Sequence, residues 1–154
     1  VRPMAFEVNR DGSTKRIFVQ ISHYHGVYVI DFDKRVVVNK LLLPELPISQ
    51  ITNDALQGSP GHGLAVAPNG SQLWSTSKPN GHVYAWSLPS LTYLGGIKVG
   101  HTPDWLTMTP DSRYLYSANA GSQDVSVIDT QLMKELARIK VGQTPKRNHT
   151  VVVP

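Results

Sequence analysis

The sequence has no cysteine, and this absence excludes disulfide bonds, zinc–thiolate centres and cysteine nucleophiles. No apolar run approaches the roughly 18 residues of a membrane-spanning helix, so we expect no membrane span. Runs of basic residues are missing as well, and the net charge of +4 is spread along the chain, which argues against a nucleic-acid partner. The chain starts at Val1 without a charged-then-apolar leader, so we expect any signal peptide to be cleaved or to lie outside this sequence.

What the sequence does contain is a series of short apolar runs separated by turn residues. Glycine and proline number 12 and 11 among the 154 residues. Short runs rich in Val, Ile, Tyr and Trp between such turns predict strands. A helix over residues 130–141 is the competing interpretation, because Leu132, Leu136 and Ile139 have helical spacing. In the last third of the chain the runs are WLTMT (105–109), YLYSAN (114–119), DVSVID (124–129) and ELARIKV (135–141).

An internal repeat favours the strands. The motif IKVG at residues 97–100 recurs 42 residues later, and the same offset places Trp74 and Tyr116 at one position. The copy that matches the helical candidate contains Gly95-Gly96, and each glycine would destabilise a helix by about 1 kcal/mol. A weaker copy occupies residues 1–44. The sequence therefore predicts three copies of one unit of four strands.

The motifs YSAN (116–119), VSVID (125–129) and VGQTP (141–145), in this order and spacing, resemble the YVTN-type repeat of bacterial β-propeller proteins. The resemblance is clearest over residues 101–145 and weakest over residues 1–44. It implies an all-β fold built from four-stranded antiparallel blades. With it we expect a periplasmic or extracellular location.

The expected domain is a partial propeller, with blade 1 at residues 1–44, blade 2 at 60–100 and blade 3 at 101–142. Residues 45–59 are expected to form an inserted loop, and residues 143–154 a closing strand. Three blades and one strand cannot complete a ring of about four to eight blades. The chain is therefore expected to be a piece of a larger propeller or, as the alternative, to complete a ring with a second copy. Unclosed edges and faces also predict self-association.

The resemblance implies that the loops between blades surround the mouth of the central channel, where propellers usually bind ligands. The sequence alignment makes Met4, His62, Asp104 and Lys146 equivalent at the start of the innermost strands. An aromatic ring and an arginine fork there suit a carboxylate or a phosphate. The alternative is that these residues only join blades, with Asp104 paired to Lys146 or Arg147. The predicted ligand-binding residues are His62, Asp104, Trp105, Lys146 and Arg147.

A second candidate site is the pair His23 and His25 in the loop SHYHG. Imidazoles bind metals and haem, although ordinary loop histidines also explain the pattern. The sequence itself requires no cofactor, and a metal ion or a haem is compatible with it.

Two classes of function fit these patterns. The first is a binding or scaffold module that takes a small polar or anionic ligand, or a protein partner, at the channel mouth. The alternative is a propeller enzyme, either a lactonase-type hydrolase or a haem- or metal-dependent oxidoreductase similar to the nitrite reductase propellers. No catalytic residue can be assigned, because no active-site motif of either enzyme class is present.

Overall fold

The computed structural model describes residues 3–46 and 60–153, and this part of the chain is all-β. It contains twelve strands in three four-stranded antiparallel sheets, and no helix that could span a membrane. In each sheet the strands follow one another in chain order, as they do in the blades expected from the repeat. The competing prediction of a helix over residues 130–141 is wrong, since Lys134–Lys140 is a strand.

The three sheets are called blades 1, 2 and 3 below. Blade 1 consists of β1 (Met4–Val8), β2 (Thr14–Val19), β3 (Gly26–Asp31) and β4 (Val36–Leu42). Blade 2 consists of β5 (Leu64–Val66), β6 (Gln72–Ser77), β7 (His82–Ser87) and β8 (Tyr93–Lys98). Blade 3 consists of β9 (Pro103–Met108), β10 (Tyr114–Asn119), β11 (Asp124–Asp129) and β12 (Lys134–Lys140). Except for residues 45 and 46, the predicted inserted loop lies outside the described residues.

Strand pairing shows which residues are equivalent in the three blades. Trp74 pairs with Ala65 and Ala85. Tyr116 pairs with Thr107 and Val127, which lie 42 positions beyond those two alanines. The same position in blade 1 belongs to Phe18, which pairs with Ala5 and Val29. The shared position of Trp74 and Tyr116 therefore agrees with the alignment.

The pairing corrects the alignment of Met4. Met4 occupies the position of Leu64 and Leu106, and it does not match His62 or Asp104. The reason is the length of the first hairpin. In blade 1, Val19 lies 15 positions after its partner Met4, whereas in blade 2, Ser75 lies only 11 positions after its partner Leu64. Part of this extra length lies before Gly12, because the turn hydrogen bonds make Asn9 equivalent to Ala67, and these residues lie five positions after Met4 but only three after Leu64.

Each blade has two faces, and the core lies between blades. We call the face that bears Phe18, Trp74 or Tyr116 the forward face, because it points to the following blade, and the opposite face the rear face. The forward face of blade 1 packs on the rear face of blade 2 through Ala5, Phe18, Val27, Val29, Leu41 and Leu43 against Leu73, Tyr84 and Trp86. The forward face of blade 2 packs on the rear face of blade 3 through Ala67, Trp74, Val83, Ala85, Ile97 and Val99 against Leu106, Met108, Leu115 and Ile128.

No blade among the described residues covers the forward face of blade 3 or the rear face of blade 1. Ile97 and Val99 are 7% and 3% exposed, whereas Ile139 and Val141, their equivalents in blade 3, are 50% and 52% exposed. The repeat therefore supplies apolar side chains to a face that no blade in the described residues covers.

Residues 148–150 contact the forward face of blade 3. The backbone N–H of Thr150 donates to Oγ1 of Thr107 at 3.0 Å, and Nδ2 of Asn148 donates to the carbonyl of Tyr116 at 3.2 Å. No strand is assigned to residues 143–153, because no second strand of the described chain pairs with them. Residues 148 and 150 therefore contact blade 3 without forming a strand, and the closing strand and ring closure by it stay predictions.

Equivalent turns in blades 2 and 3 have the same backbone conformation, as the equivalent strands do. Leu91 and Met133, which are equivalent residues between the third and fourth strands, have φ of 60° and 51°. Gly81 and Gln123, which are equivalent in the loop before the third strand, have φ of 62° and 61°. The left-handed conformation is therefore kept at these positions whether or not the residue is glycine.

Candidate functional site

A buried carboxylate joins blades 2 and 3 at the predicted site. Asp104 lies on β9, and its Oδ1 is 2.8 Å from Nζ of Lys78, which follows β6. Nδ1 of His62, which precedes β5, lies 3.2 Å from the same oxygen. Lys78 and Asp104 are only 3% and 5% exposed. Blade 2 therefore surrounds the carboxylate of blade 3 with an ammonium group and an imidazole.

The alternative interpretation, in which Asp104 pairs with Lys146 or Arg147, named the wrong partners. Among the described residues, its ion pairs are with Lys78 and His62, and none is with Lys146 or Arg147. The repeat could not reveal Lys78, because the equivalent residue of blade 3 is Ala120. One signal was available: Lys78 is the only charged residue between Asp54 and Lys98. A lone charge in an otherwise uncharged stretch of strands needs a specific partner if it is buried.

The backbone at His62 is fixed by close packing. The N–H groups of His62 and Gly63 both donate to Oγ1 of Thr76, at 3.2 Å and 2.8 Å. A Cβ atom at Gly63 would lie 2.7 Å from Cγ2 of Thr76 and 3.0 Å from the carbonyl oxygen of Asp104. Glycine at this position therefore lets β5 and β9 approach closely enough for the imidazole to reach Asp104.

Trp105, the residue after Asp104 on β9, links His62 to Arg147. The ring centroids of His62 and Trp105 are 5.6 Å apart, and the guanidinium carbon of Arg147 lies 5.7 Å from the Trp105 ring centroid. This guanidinium–indole contact is a cation–π interaction. An open groove of about 500 Å³ lies beside it, lined by Trp105, Arg147, Asn148 and His149.

The structure thus brings together four of the five predicted ligand-binding residues, His62, Asp104, Trp105 and Arg147. Lys146 is exposed, and neither Lys146 nor Arg147 forms an ion pair with a carboxylate of residues 3–46 or 60–153. Because Lys78 neutralises Asp104 inside the protein, the charge that faces the groove is positive.

The two histidines proposed as a metal pair lie apart from this cluster. Nε2 of His25 is 2.7 Å from Oγ of Ser77, so His25 joins blade 1 to blade 2. His23 is exposed in the same loop, with φ of 61°. No group of three or more metal-binding side chains forms in the described part of the chain. The geometry therefore adds no third ligand to His23 and His25.

His25 gives the fold a predicted pH dependence. Burial lowers its pKa, and the nearby Glu45 carboxylate opposes this only in part. The unfolded chain therefore binds a proton first, so the stabilisation is complete above the unfolded pKa of about 6.5 and is lost as the pH falls through the folded pKa. We expect His25→Gln to flatten the dependence of the unfolding free energy between about pH 7 and pH 5, measured by urea unfolding. His101→Gln, at an exposed loop position, is the control, and equal slopes in both variants would contradict the assignment.

Solved structures show what this arrangement of sheets resembles. Hydrazine synthase of Kuenenia stuttgartiensis is matched with a TM-score of 0.72 and 21% identity, over 93% of this chain and 37% of that one. A protein described as a putative 6-phosphogluconolactonase, from Bacteroides fragilis, is matched with a TM-score of 0.73 and 18% identity, over 94% of this chain and 40% of that one. The three sheets are blades of a β-propeller.

The likeness concerns the fold alone at these identities, and the chain spans well under half the length of both propellers. No protein-family model and no curated protein matches it. Within the propeller, β1, β5 and β9 are the innermost strands, and β5 contacts both of the others. His62 and Asp104 therefore stand beside the propeller axis.

Proposed function

We propose that this chain is a YVTN-type β-propeller binding module that holds a small anionic ligand in the groove beside Trp105 and Arg147. The repeat motifs support the family, and the groove supports the ligand class. The observation that carries the proposal is the position of Arg147, whose guanidinium lies over Trp105 while the nearby carboxylate of Asp104 is engaged by Lys78. A guanidinium fork beside an aromatic ring binds a carboxylate or a phosphate through charge-assisted hydrogen bonds.

Substitution of Arg147 tests this function. Arg147→Gln should weaken the binding of citrate and of inorganic phosphate by about tenfold or more, because it removes hydrogen bonds from a charged donor. Isothermal titration calorimetry at low ionic strength measures the change. Arg10→Gln is the matched control, since Arg10 is an exposed arginine in a turn of blade 1 and should leave binding unchanged. If the unmodified chain binds neither anion, or if both variants bind equally, the proposed ligand site is wrong.

A second candidate function is hydrolysis, and the contact between His62 and Asp104 favours it. A carboxylate near Nδ1 of an imidazole can hold the ring in a fixed orientation, which suits general acid–base catalysis. The similar Bacteroides protein makes 6-phosphogluconolactone a reasonable test substrate. Turnover that is lost in His62→Gln while binding persists would favour the enzyme. Binding without turnover would favour the binding module.

A further inference from the structure

The contact between Lys78 and Asp104 places an amino group beside a carboxyl group in a site with little access to water. Nζ of Lys78 lies 2.8 Å from Oδ1 of Asp104, and both side chains are more than nine-tenths buried. Because Cγ of Asp104 is bonded to Oδ1, the lysine nitrogen also lies within about 4 Å of this carbon. Two groups that a protein holds so close react as if each were present at very high concentration. The pair is therefore placed for a reaction between nitrogen and carbon.

The geometry of this contact differs from that of an ordinary salt bridge. A well-formed ammonium–carboxylate pair directs an N–H bond at a lone pair of the oxygen. Oδ1 of Asp104 is buried and accepts no hydrogen bond of normal geometry within residues 3–46 and 60–153. The short distance to Lys78 therefore reflects close packing of the two groups rather than a strong hydrogen bond.

Burial weakens the usual obstacle to joining an amine and a carboxyl group. In water the ammonium ion and the carboxylate resist condensation, because hydration stabilises both ions. Lys78 and Asp104 have lost most of this hydration, and a buried ion pair recovers the cost only where its geometry is excellent. Transfer of one proton from the nitrogen to the oxygen gives an amine and a carboxylic acid, the two forms that condense to an amide.

His62 provides a route for the protons. Its Nδ1 lies 3.2 Å from Oδ1 of Asp104, and its side chain is 24% exposed, so the ring extends from the buried pair towards solvent. An imidazole both accepts and donates protons near neutral pH. It can therefore pass a proton from the lysine nitrogen to the departing oxygen.

We propose that Lys78 and Asp104 condense to an isopeptide bond that joins blade 2 to blade 3 covalently. The Nζ–Cγ bond forms as Nζ attacks Cγ of Asp104, and the Cγ–Oδ1 bond breaks. Nζ gives up two protons, both of which end on Oδ1, and this oxygen leaves as water. The reaction needs no other reactant, because the ammonium and the carboxylate together contain every atom of the products. The ion pair described above is the reactant state.

The mass of the purified chain tests this bond. Under denaturing conditions we expect the chain to weigh about 18 Da less than its sequence, because one water molecule is lost. Trypsin should release residues 41–98 and 99–113 as one linked peptide, and its fragment spectra should place the link at Lys78 and Asp104. A chain that keeps its full sequence mass, or two separate peptides, would overturn the proposal.

Two comparisons separate this bond from loss of water elsewhere in the chain. Lys78→Arg keeps a positive charge beside Asp104 but lacks the amino group, so it should keep its full mass. Lys140 is the internal control, because it lies 3.5 Å from Asp124 with a side chain that is 77% exposed, and it should stay unlinked. If Lys78→Arg also loses water, or if Lys140 is linked as completely as Lys78, the proposal is wrong. The linked peptide of the unmodified chain decides the question even where Lys78→Arg does not fold.

Substitution of His62 tests the proton route. His62→Gln should slow formation of the bond by about tenfold or more, measured as the linked fraction against time after cell-free synthesis. The same final fraction in the variant and in the unmodified chain would show that the two reacting groups are still in place. His101→Gln, at an exposed loop position, should leave the rate unchanged. Equal rates in His62→Gln and in the unmodified chain would contradict the role of His62 in this reaction.

Discussion

Replacing Lys78 by methionine is expected to lower the free energy of unfolding by about 3–5 kcal/mol, because it leaves a buried carboxylate without its ammonium partner. Asp104 is almost completely buried, and its Oδ1 lies 2.8 Å from Nζ of Lys78. Methionine keeps most of the length and the apolar stem of lysine, so the loss reports mainly on the missing charge. Urea unfolding at pH 7, followed by circular dichroism, measures it.

Two further variants separate the charge from other effects of the substitution. The double variant Lys78→Met and Asp104→Leu should recover much of the lost stability, since removing both members of a buried ion pair is far less harmful than removing one. Lys140→Met is the surface control. Its Nζ is 3.5 Å from Oδ2 of Asp124, but the lysine side chain is 77% exposed, so the loss should stay under about 1 kcal/mol. Equal losses at Lys78 and Lys140 would show that the Lys78–Asp104 pair is not buried.

The second large effect concerns Trp74 and Tyr116, which occupy the same position in blades 2 and 3. Trp74→Ala should lower the free energy of unfolding by about 3–5 kcal/mol, because it empties the core between two blades. Tyr116→Ala should lower it by less than half as much, since residues 148–151 cover this face only loosely and leave a cavity of about 320 Å³ beside Tyr116. Urea unfolding at low protein concentration, where self-association is weak, measures both values.

This comparison tests the difference between a covered and an open forward face. If the two alanine variants lost similar amounts of unfolding free energy, Tyr116 would be packed as tightly as Trp74. The forward face of blade 3 would then not be open. The slope of the free energy against urea concentration should be nearly the same in both variants, because both expose similar surface on unfolding.

The repeat made the fold predictable from the sequence. Gly95-Gly96 argued against a helix at the fourth strand of blade 2. Because residues 134–140 hold the same position 42 residues later, the sequence predicted a strand there as well. The offset also placed His62 and Asp104 at equivalent positions beside the axis. These predictions succeed because strand pairing and backbone turns depend on features that every copy shares.

The interactions within the site were less predictable. Lys78 has no counterpart in the next blade, so an alignment of repeats passes over it. The partner of Asp104 depends on which long side chain can reach across from the preceding blade, and that is a property of packing rather than of spacing. Met4 was misplaced for a related reason, since the longer first hairpin of blade 1 changes which residues face each other. Equivalent positions can therefore be found in the sequence, whereas contacts between different copies require the structure.

The left-handed turns affect the thermal stability of the fold. Leu91 and Met133 hold a backbone conformation that costs a residue with a Cβ atom on the order of 1 kcal/mol, and both lie in turns on the far side of the strands from the groove. Asparagine adopts this conformation more readily. Leu91 and Met133 also pack against the two hydrophobic cores, so asparagine in either turn would relieve the backbone and lose that packing, and the thermal tolerance of these outer turns depends on the balance of the two effects.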